Sequence, residues 1–279
     1  MSISSKIGIG TVQFGMDYGI SNTEGMTPAL EVEKILQTAF INDITIVDTA
    51  KAYGESERVI GACDLQRFRV VSKFMPSIKH DSIETQLLDS LKKMRINSLY
   101  GFLAHRPDEL LENLDDWKVL CDLKAKKLVK KIGFSLNEPR ELDMLLNEGL
   151  IPDLIQVPYN YFDNRFERYM KELHGNGCEI HTRSTFLQGL FFCKPEELSE
   201  YFDEIKITLS NLQKNYKTLG GELLMHILKK EYVDKVILGV ENERQLIENL
   251  KSINFVKGLP ILTERIPDDI LIPSKWKND

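Results

Sequence analysis

The sequence predicts an α/β fold: a closed (β/α)8 barrel of the TIM type, in a single domain over residues 1–279. Three observations lead there. Short apolar runs alternate with longer amphipathic segments along the whole chain, the pattern of parallel βαβ units. Several runs are almost continuously apolar, such as Ile44-Thr45-Ile46-Val47 and Leu154-Ile155-Gln156-Val157, as expected of strands covered on both faces. Eight such runs occur, a number that favours a closed barrel over an open doubly wound sheet. The glycines from Gly8 to Gly15 do not have the GxGxxG spacing that would open a dinucleotide-binding sheet.

The strands are expected at 6–10, 45–48, 68–73, 99–105, 131–135, 154–158, 179–184 and 235–239. Between the first two, residues 29–40 place Leu30, Val32, Ile35, Leu36, Ala39 and Phe40 on roughly one helical face. Residues 82–94 do the same with Ile83, Leu87, Leu88, Leu91 and Met94, behind a polar start at Ser82, Glu84 and Thr85. Pro139 opens a later helix, where its missing N–H costs little. Gly175 and Gly177 close another before the strand that begins near Cys178. Residues 243–252 form the last clear amphipathic helix, and 190–219 is long enough to hold extra helices.

Composition narrows the function classes. The net charge of −6 leaves no basic footprint for nucleic acid. The lysines at 124, 126, 127, 130 and 131 read as a solvated helix end running into a strand. No apolar run is long enough for a signal or a membrane span. Cys63, Cys121, Cys178 and Cys193 are scattered without metal-binding spacing. They are expected to be reduced thiols in a cytoplasmic protein, either monomeric or a weak homo-oligomer, with no metal, membrane or nucleic-acid partner.

Three apolar runs end on polar residues: Asp48, Lys73 and His105. In a parallel barrel all strand C-termini meet on one face, so these distant residues converge. Tyr53 lies in the loop above the first of them. Together they form a proton-transfer set. A free phenol has a pKa of about 10 and is a weak acid at neutral pH, but a neighbouring ammonium stabilises its phenolate. A carboxylate beside the lysine keeps that ammonium charged and placed. An imidazole can hydrogen-bond and orient a substrate carbonyl while the phenol protonates its oxygen.

The run Asp48-Thr-Ala-Lys-Ala-Tyr53-Gly-Glu-Ser-Glu57 resembles the Asp-Thr-Ala-x-x-Tyr-Gly-x-Ser-Glu signature of the aldo-keto reductases. Val71-Ser-Lys73 and Leu103-Ala-His105-Arg-Pro-Asp108 resemble the next two family motifs. The likeness continues in order through 132–135, 156–160, 184–189 and 239–249. It implies the catalytic tetrad Asp48, Tyr53, Lys73 and His105, and an NADP(H) or NAD(H) cofactor. It also implies a cofactor site of Gly10, Thr11, Ser135, Gln156, Arg183, Ser184, Leu187, Gln188, Gly239, Glu241, Gln245, Glu248 and Asn249. Phe14 and Arg106 are the implied substrate-binding residues.

The sequence departs from the family in four places. Leu136 stands where an Asn usually helps Ser135 and Gln156 hold the nicotinamide carboxamide. Arg183 replaces the aromatic residue that stacks on the nicotinamide, and a guanidinium plane can also stack. Gln245 replaces a basic residue that grips the 2′-phosphate, and Gly239 takes a position that is Lys in some members. Glu248 and Asn249 match the adenine-contacting pair.

The resemblance implies an oxidoreductase that reduces an aldehyde, ketone or keto-sugar to an alcohol. Arg106 and Arg183 at one mouth suggest an anionic substrate. The alternatives are a cofactor-binding regulatory protein and a non-redox epimerase- or lyase-like member on the same barrel.

Overall fold

The computed structural model describes residues 2–276. Its eight strands are all parallel and close in sequence order, each pairing with the next and β8 with β1. They are β1 (Ile7–Gly10), β2 (Ile46–Asp48), β3 (Arg69–Phe74), β4 (Leu99–Ala104), β5 (Val129–Ser135), β6 (Leu154–Pro158), β7 (Glu179–Arg183) and β8 (Lys235–Gly239). The expected strands are all present. The differences are at their ends, where strand pairing rather than hydrophobicity decides the last residue.

The helices outside the strands are α1 (Ala29–Ile41), α2 (Ser56–Ile60), α3 (Ile83–Met94), α4 (Asp115–Ala125), α5 (Pro139–Asn147), α6 (Glu167–Gly175), α7 (Asp203–Asn215), α8 (Leu219–Leu228), α9 (Glu243–Ser252) and α10 (Asp268–Leu271). Helix α3 starts where Ser82 Oγ accepts the Thr85 amide at 3.2 Å, which satisfies one of the free N–H groups of the first turn. Pro139 is the first residue of α5. Asn242 caps α9 through the Gln245 amide at 2.9 Å. The long segment after β7 carries short 3-10 turns and then α7 and α8, which supply the extra helices expected there. Among the described residues, no helix is long and apolar enough to cross a membrane.

Two expectations for helix faces need correction. Val32, Ile35, Leu36 and Ala39 of α1 are buried, but Leu30 is 76% exposed and Phe40 39%. Both lie at the edges of the apolar stripe, where a 3.6-residue period carries a side chain away from the sheet. Leu88 on α3 is likewise exposed, at 52%.

Inside the barrel, Ile46, Val71, Leu103, Leu154 and Ile237 form an apolar plug. Gly8 leaves room for it: a Cβ there would stand 2.7 Å from Ile237 Cδ1 and 2.9 Å from Ile46 Cγ2. At the N-terminal end of the barrel, Glu179 accepts from Tyr100 at 2.6 Å and pairs with Lys131 at 2.6 Å and His181 at 2.7 Å. The plug therefore stands on a polar floor and presents its upper side to the C-terminal face, where barrel active sites form.

Candidate active site

Asp48 is the last residue of β2 and Lys73 lies near the end of β3. Both side chains point into the barrel and are shut off from solvent: Lys73 is 0% exposed and Asp48 3%. The ammonium lies 2.5 Å from Asp48 Oδ1 and 2.9 Å from the Thr49 carbonyl. Burial pushes the Lys73 pKa down, but Asp48 and Tyr53 outweigh it and hold that pKa above the usual lysine value. Asp48 Oδ2 accepts from Gln156 Nε2 at 2.7 Å, so both carboxylate oxygens are engaged. The Tyr53 hydroxyl is 3.5 Å from Lys73 Nζ, on the side that faces the cleft.

The loop that carries Tyr53 is fastened from below. Ser56 Oγ sits 2.7 Å from Thr11 Oγ1 and 3.0 Å from Thr49 Oγ1, and donates to the Thr11 carbonyl at 2.9 Å. All three residues are buried. The same loop presses backbone to backbone on Gly15, where a Cβ would collide with the Tyr53 carbonyl oxygen. Glu57, also buried, accepts from Ser72 on β3 at 2.8 Å. The Ser and Glu that end the Asp48–Glu57 run therefore anchor the loop.

His105 follows β4, and its amide bonds the Phe74 carbonyl at 3.0 Å. Its ring stands edge-on to Tyr53 at 5.6 Å. Burial, then the charges of Lys73, Arg183 and Arg106, bring its pKa down to about 3, so the ring is neutral at pH 7. Nδ1 is buried without a partner, which leaves Nε2 as the nitrogen open to the cleft. A neutral ring protonated there can donate one hydrogen bond to a substrate oxygen.

The tetrad opens into a cavity of about 1100 Å³ that runs from Tyr53 and His105 across the ends of β5 to β8. Of the residues assigned to the cofactor from sequence, Gly10, Thr11, Ser135, Gln156, Arg183, Ser184, Gln188, Gly239, Glu241, Gln245, Glu248 and Asn249 all line it. Leu187 does not. Its side chain is fully buried in a second apolar cluster, and its positive φ of 47° turns it away from the cleft. Phe14 is a second correction. It lies in a 3-10 turn that rotates its ring into the main core, at 0% exposure. Arg106 does border the cleft, but its side chain is 62% exposed and pairs with Glu109 at 3.3 Å.

Other lining residues escaped the sequence reading. Leu136, the departure from the family Asn, is wholly buried in the core, and the amide that faces the cleft belongs to its neighbour Asn137. Tyr18 comes over from the loop after β1, and its hydroxyl accepts from Gln188 Nε2 at 2.9 Å. At the far end, Phe186, Phe192, Phe255 and Lys217 line the cleft. A single displaced amide could have been found one residue from its expected place. The rest lie in long loops with no periodic pattern.

A model of the aldo/keto reductase family matches residues 6–258. The chain belongs to the aldo/keto reductase family. As a member it is an NAD(P)-dependent oxidoreductase. Solved structures with the same fold include an aldo-keto reductase of Bacillus halodurans in its holo form, at 19% identity and TM-score 0.72, matched over 91% of this chain and 88% of that one. The glycerol dehydrogenase of Gluconobacter oxydans matches at 17% identity and TM-score 0.68, over 91% and 88%. An aldo/keto reductase of Klebsiella pneumoniae, in complex with NADP and acetate, matches at 17% identity and TM-score 0.65, over 96% and 91%. A search of curated protein sequences finds no match.

The residues present fit a nicotinamide. Gln156 Oε1 is buried at the floor of the cleft with no hydrogen-bond partner. It is a free acceptor beside Ser135, its partner in strand pairing. An acceptor and a hydroxyl side by side match the donor and acceptor of a primary carboxamide.

Proposed function

We propose that this reductase converts an aldehyde, ketone or keto-sugar to the alcohol with Tyr53 as general acid, and that its substrate carries negative charge. When bound, the reduced nicotinamide supplies the hydride that reaches the carbonyl carbon. Ser135, Asn137 and Gln156 would hold its carboxamide. The remaining work belongs to the tetrad. His105, neutral and open at Nε2, orients the carbonyl oxygen towards Tyr53. Tyr53 gives that oxygen its proton. Lys73, charged and fixed by Asp48, stabilises the negative charge that develops on the phenol oxygen as the proton leaves. The observation that carries this reading is the sealed Asp48–Lys73 pair, which ends 3.5 Å from the one hydroxyl of the set that faces the cleft.

The charge of the substrate is read from Arg106. It stands on the cleft wall next to His105, and its exposed pairing with Glu109 can yield to a phosphate or carboxylate. The four cysteines are free, which suits a reducing compartment, and we place the enzyme in the cytoplasm.

Turnover of matched neutral and anionic carbonyls, keto-sugars included, by the native protein and by Tyr53→Phe tests both parts. Native protein should favour the anionic member of each pair. Tyr53→Phe should lower kcat by about 10²- to 10⁴-fold, the scale of general acid catalysis. Near-native turnover by the Phe variant removes Tyr53 from the acid role, and equal rates on matched pairs remove the anionic preference.

A further inference from the structure

Among the described residues, Arg183 at the end of β7 has no carboxylate partner. Its Nη2 donates to the Leu136 carbonyl at 2.8 Å and to Asn137 Oδ1 at 2.6 Å, and its Nη1 donates to Ser184 Oγ at 3.3 Å. Each of these partners is neutral. Among the described residues, the arginines in ion pairs are Arg58, Arg67, Arg106, Arg165 and Arg244, and Arg183 is not one of them. The bonds to the loop after β5 stretch the side chain from β7 past the end of β6, the strand between them. Gln156, with its unpartnered Oε1, is the middle residue of that strand, two before Pro158, which pairs with Arg183, and Gln156 and Arg183 line the same cleft. The guanidinium thus borders the place where the proposed function seats the nicotinamide carboxamide, and its charge reaches far enough to act on His105.

The two redox forms of a nicotinamide differ by one charge. The ring is cationic when oxidised and neutral when reduced, while the ribose, diphosphate and adenosine are the same in both. A fixed cation beside the ring therefore disfavours only the oxidised form. An aromatic side chain in the same place carries no net charge, and its π face would attract the cationic ring rather than repel it.

We propose that Arg183 selects the redox state of the cofactor: it weakens binding of the oxidised form relative to the reduced form, which favours loading of the reductant and release of the spent cofactor. The proposal rests on the nicotinamide seat described under the proposed function. It also gives the departure from the family aromatic a physical purpose, since a guanidinium keeps a flat stacking surface and adds the charge.

Fluorescence or calorimetric titration with NADH, NAD⁺, NADPH and NADP⁺, without substrate, tests it. For a charge pair near the surface of a cleft, native protein should hold the reduced form about tenfold or more tightly than the oxidised form. Arg183→Gln should reduce that ratio by about fivefold or more, and Arg183→Lys should keep most of it, since the charge remains. Arg183→Phe, with the aromatic residue usual in the family, should also reduce the ratio. It decides the matter if the Gln variant does not fold by circular dichroism. A ratio unchanged in a folded Gln or Phe variant overturns the role of Arg183 and leaves the proposed function standing. Failure of native protein to bind any of the four overturns the proposed function and this inference together.

Discussion

Replacing Lys73 with Met should cost this protein much of its stability, because it removes one half of a sealed ion pair and leaves the other half in place. Met fills most of the volume of the lysine stem, so no large cavity forms. Asp48, at 3% exposure, then keeps only the Gln156 amide at 2.7 Å among its present side-chain partners. Breaking a buried pair by removing one member costs about 3–5 kcal/mol, most of it the cost of the uncompensated charge. Spread over a single domain of this size, that is a fall in Tm of roughly 10 °C. The pH of the experiment matters. The folded pKa of Lys73 is raised above the unfolded value of 10.5. Its stabilisation is therefore fully present below 10.5 and is lost as pH rises through the folded value. Measurements at pH 7 capture all of it.

A double-mutant cycle separates the charge effect from simple loss of contact. Asp48→Asn in the Lys73→Met background removes the orphaned charge, so the double variant should be about 2 kcal/mol or more stabler than the sum of the single losses predicts. Urea denaturation followed by circular dichroism on the four proteins gives the coupling. Single losses that add to within about 0.5 kcal/mol would show that the two side chains do not act as a buried pair, and the account of how Lys73 is held would fail.

Two further outcomes follow from the site. The His105 pKa is depressed from 6.5 to about 3, so on acidification the unfolded chain takes up this proton first, and stability is lost as pH falls from 6.5 towards 3. Over that window His105→Asn should flatten the fall in stability by up to about 1 kcal/mol per pH unit, and identical slopes in the two proteins would contradict the neutral imidazole. The Gln245 amide is engaged at both ends by Glu241, whose N–H donates to its Oε1 at 2.9 Å and whose Oε2 accepts from its Nε2 at 3.0 Å. Native protein should thus discriminate weakly or lean to NAD(H). Gln245→Arg with Glu241→Ala should strengthen NADPH binding relative to NADH by tenfold or more, since charges about 4 Å apart interact by roughly 1 to 4 kcal/mol. A strong native preference for NADPH, unaltered in Glu241→Ala, would refute this.

How far the sequence could be read depended on which physical rule placed each residue. Asp48, Lys73 and His105 were legible because each ends an apolar run, and in a parallel barrel the end of a strand is also a place in space. Phe14 and Leu187 were misplaced because a motif says where the backbone passes and not which way a side chain points. A 3-10 turn rotates Phe14 inward, and a positive φ does the same for Leu187. Asn137, whose side chain lines the cleft, stands one position past 136, where alignment to a motif looked for an amide. Tyr18, Lys217 and Phe255 belong to connections whose path is set by tertiary packing, so no local pattern marks them as neighbours of the cleft.

The hydroxyl knot of Thr11, Thr49 and Ser56 has a consequence for how such a molecule can change. It ties the loop that bears Tyr53 to the ends of β1 and β2 through buried hydroxyls, so the backbone beneath that phenol is fastened from within the protein. The far wall is built otherwise, from side chains such as Phe192 and Phe255 that are 46% and 71% exposed. Substitutions on that wall can redraw the outline of the guest at little structural expense. Substitutions in the knot move the Tyr53 phenol, the proton donor of the proposed mechanism. Diversity of substrate and constancy of chemistry are thereby assigned to opposite sides of one opening, and a lineage can explore the first without disturbing the second.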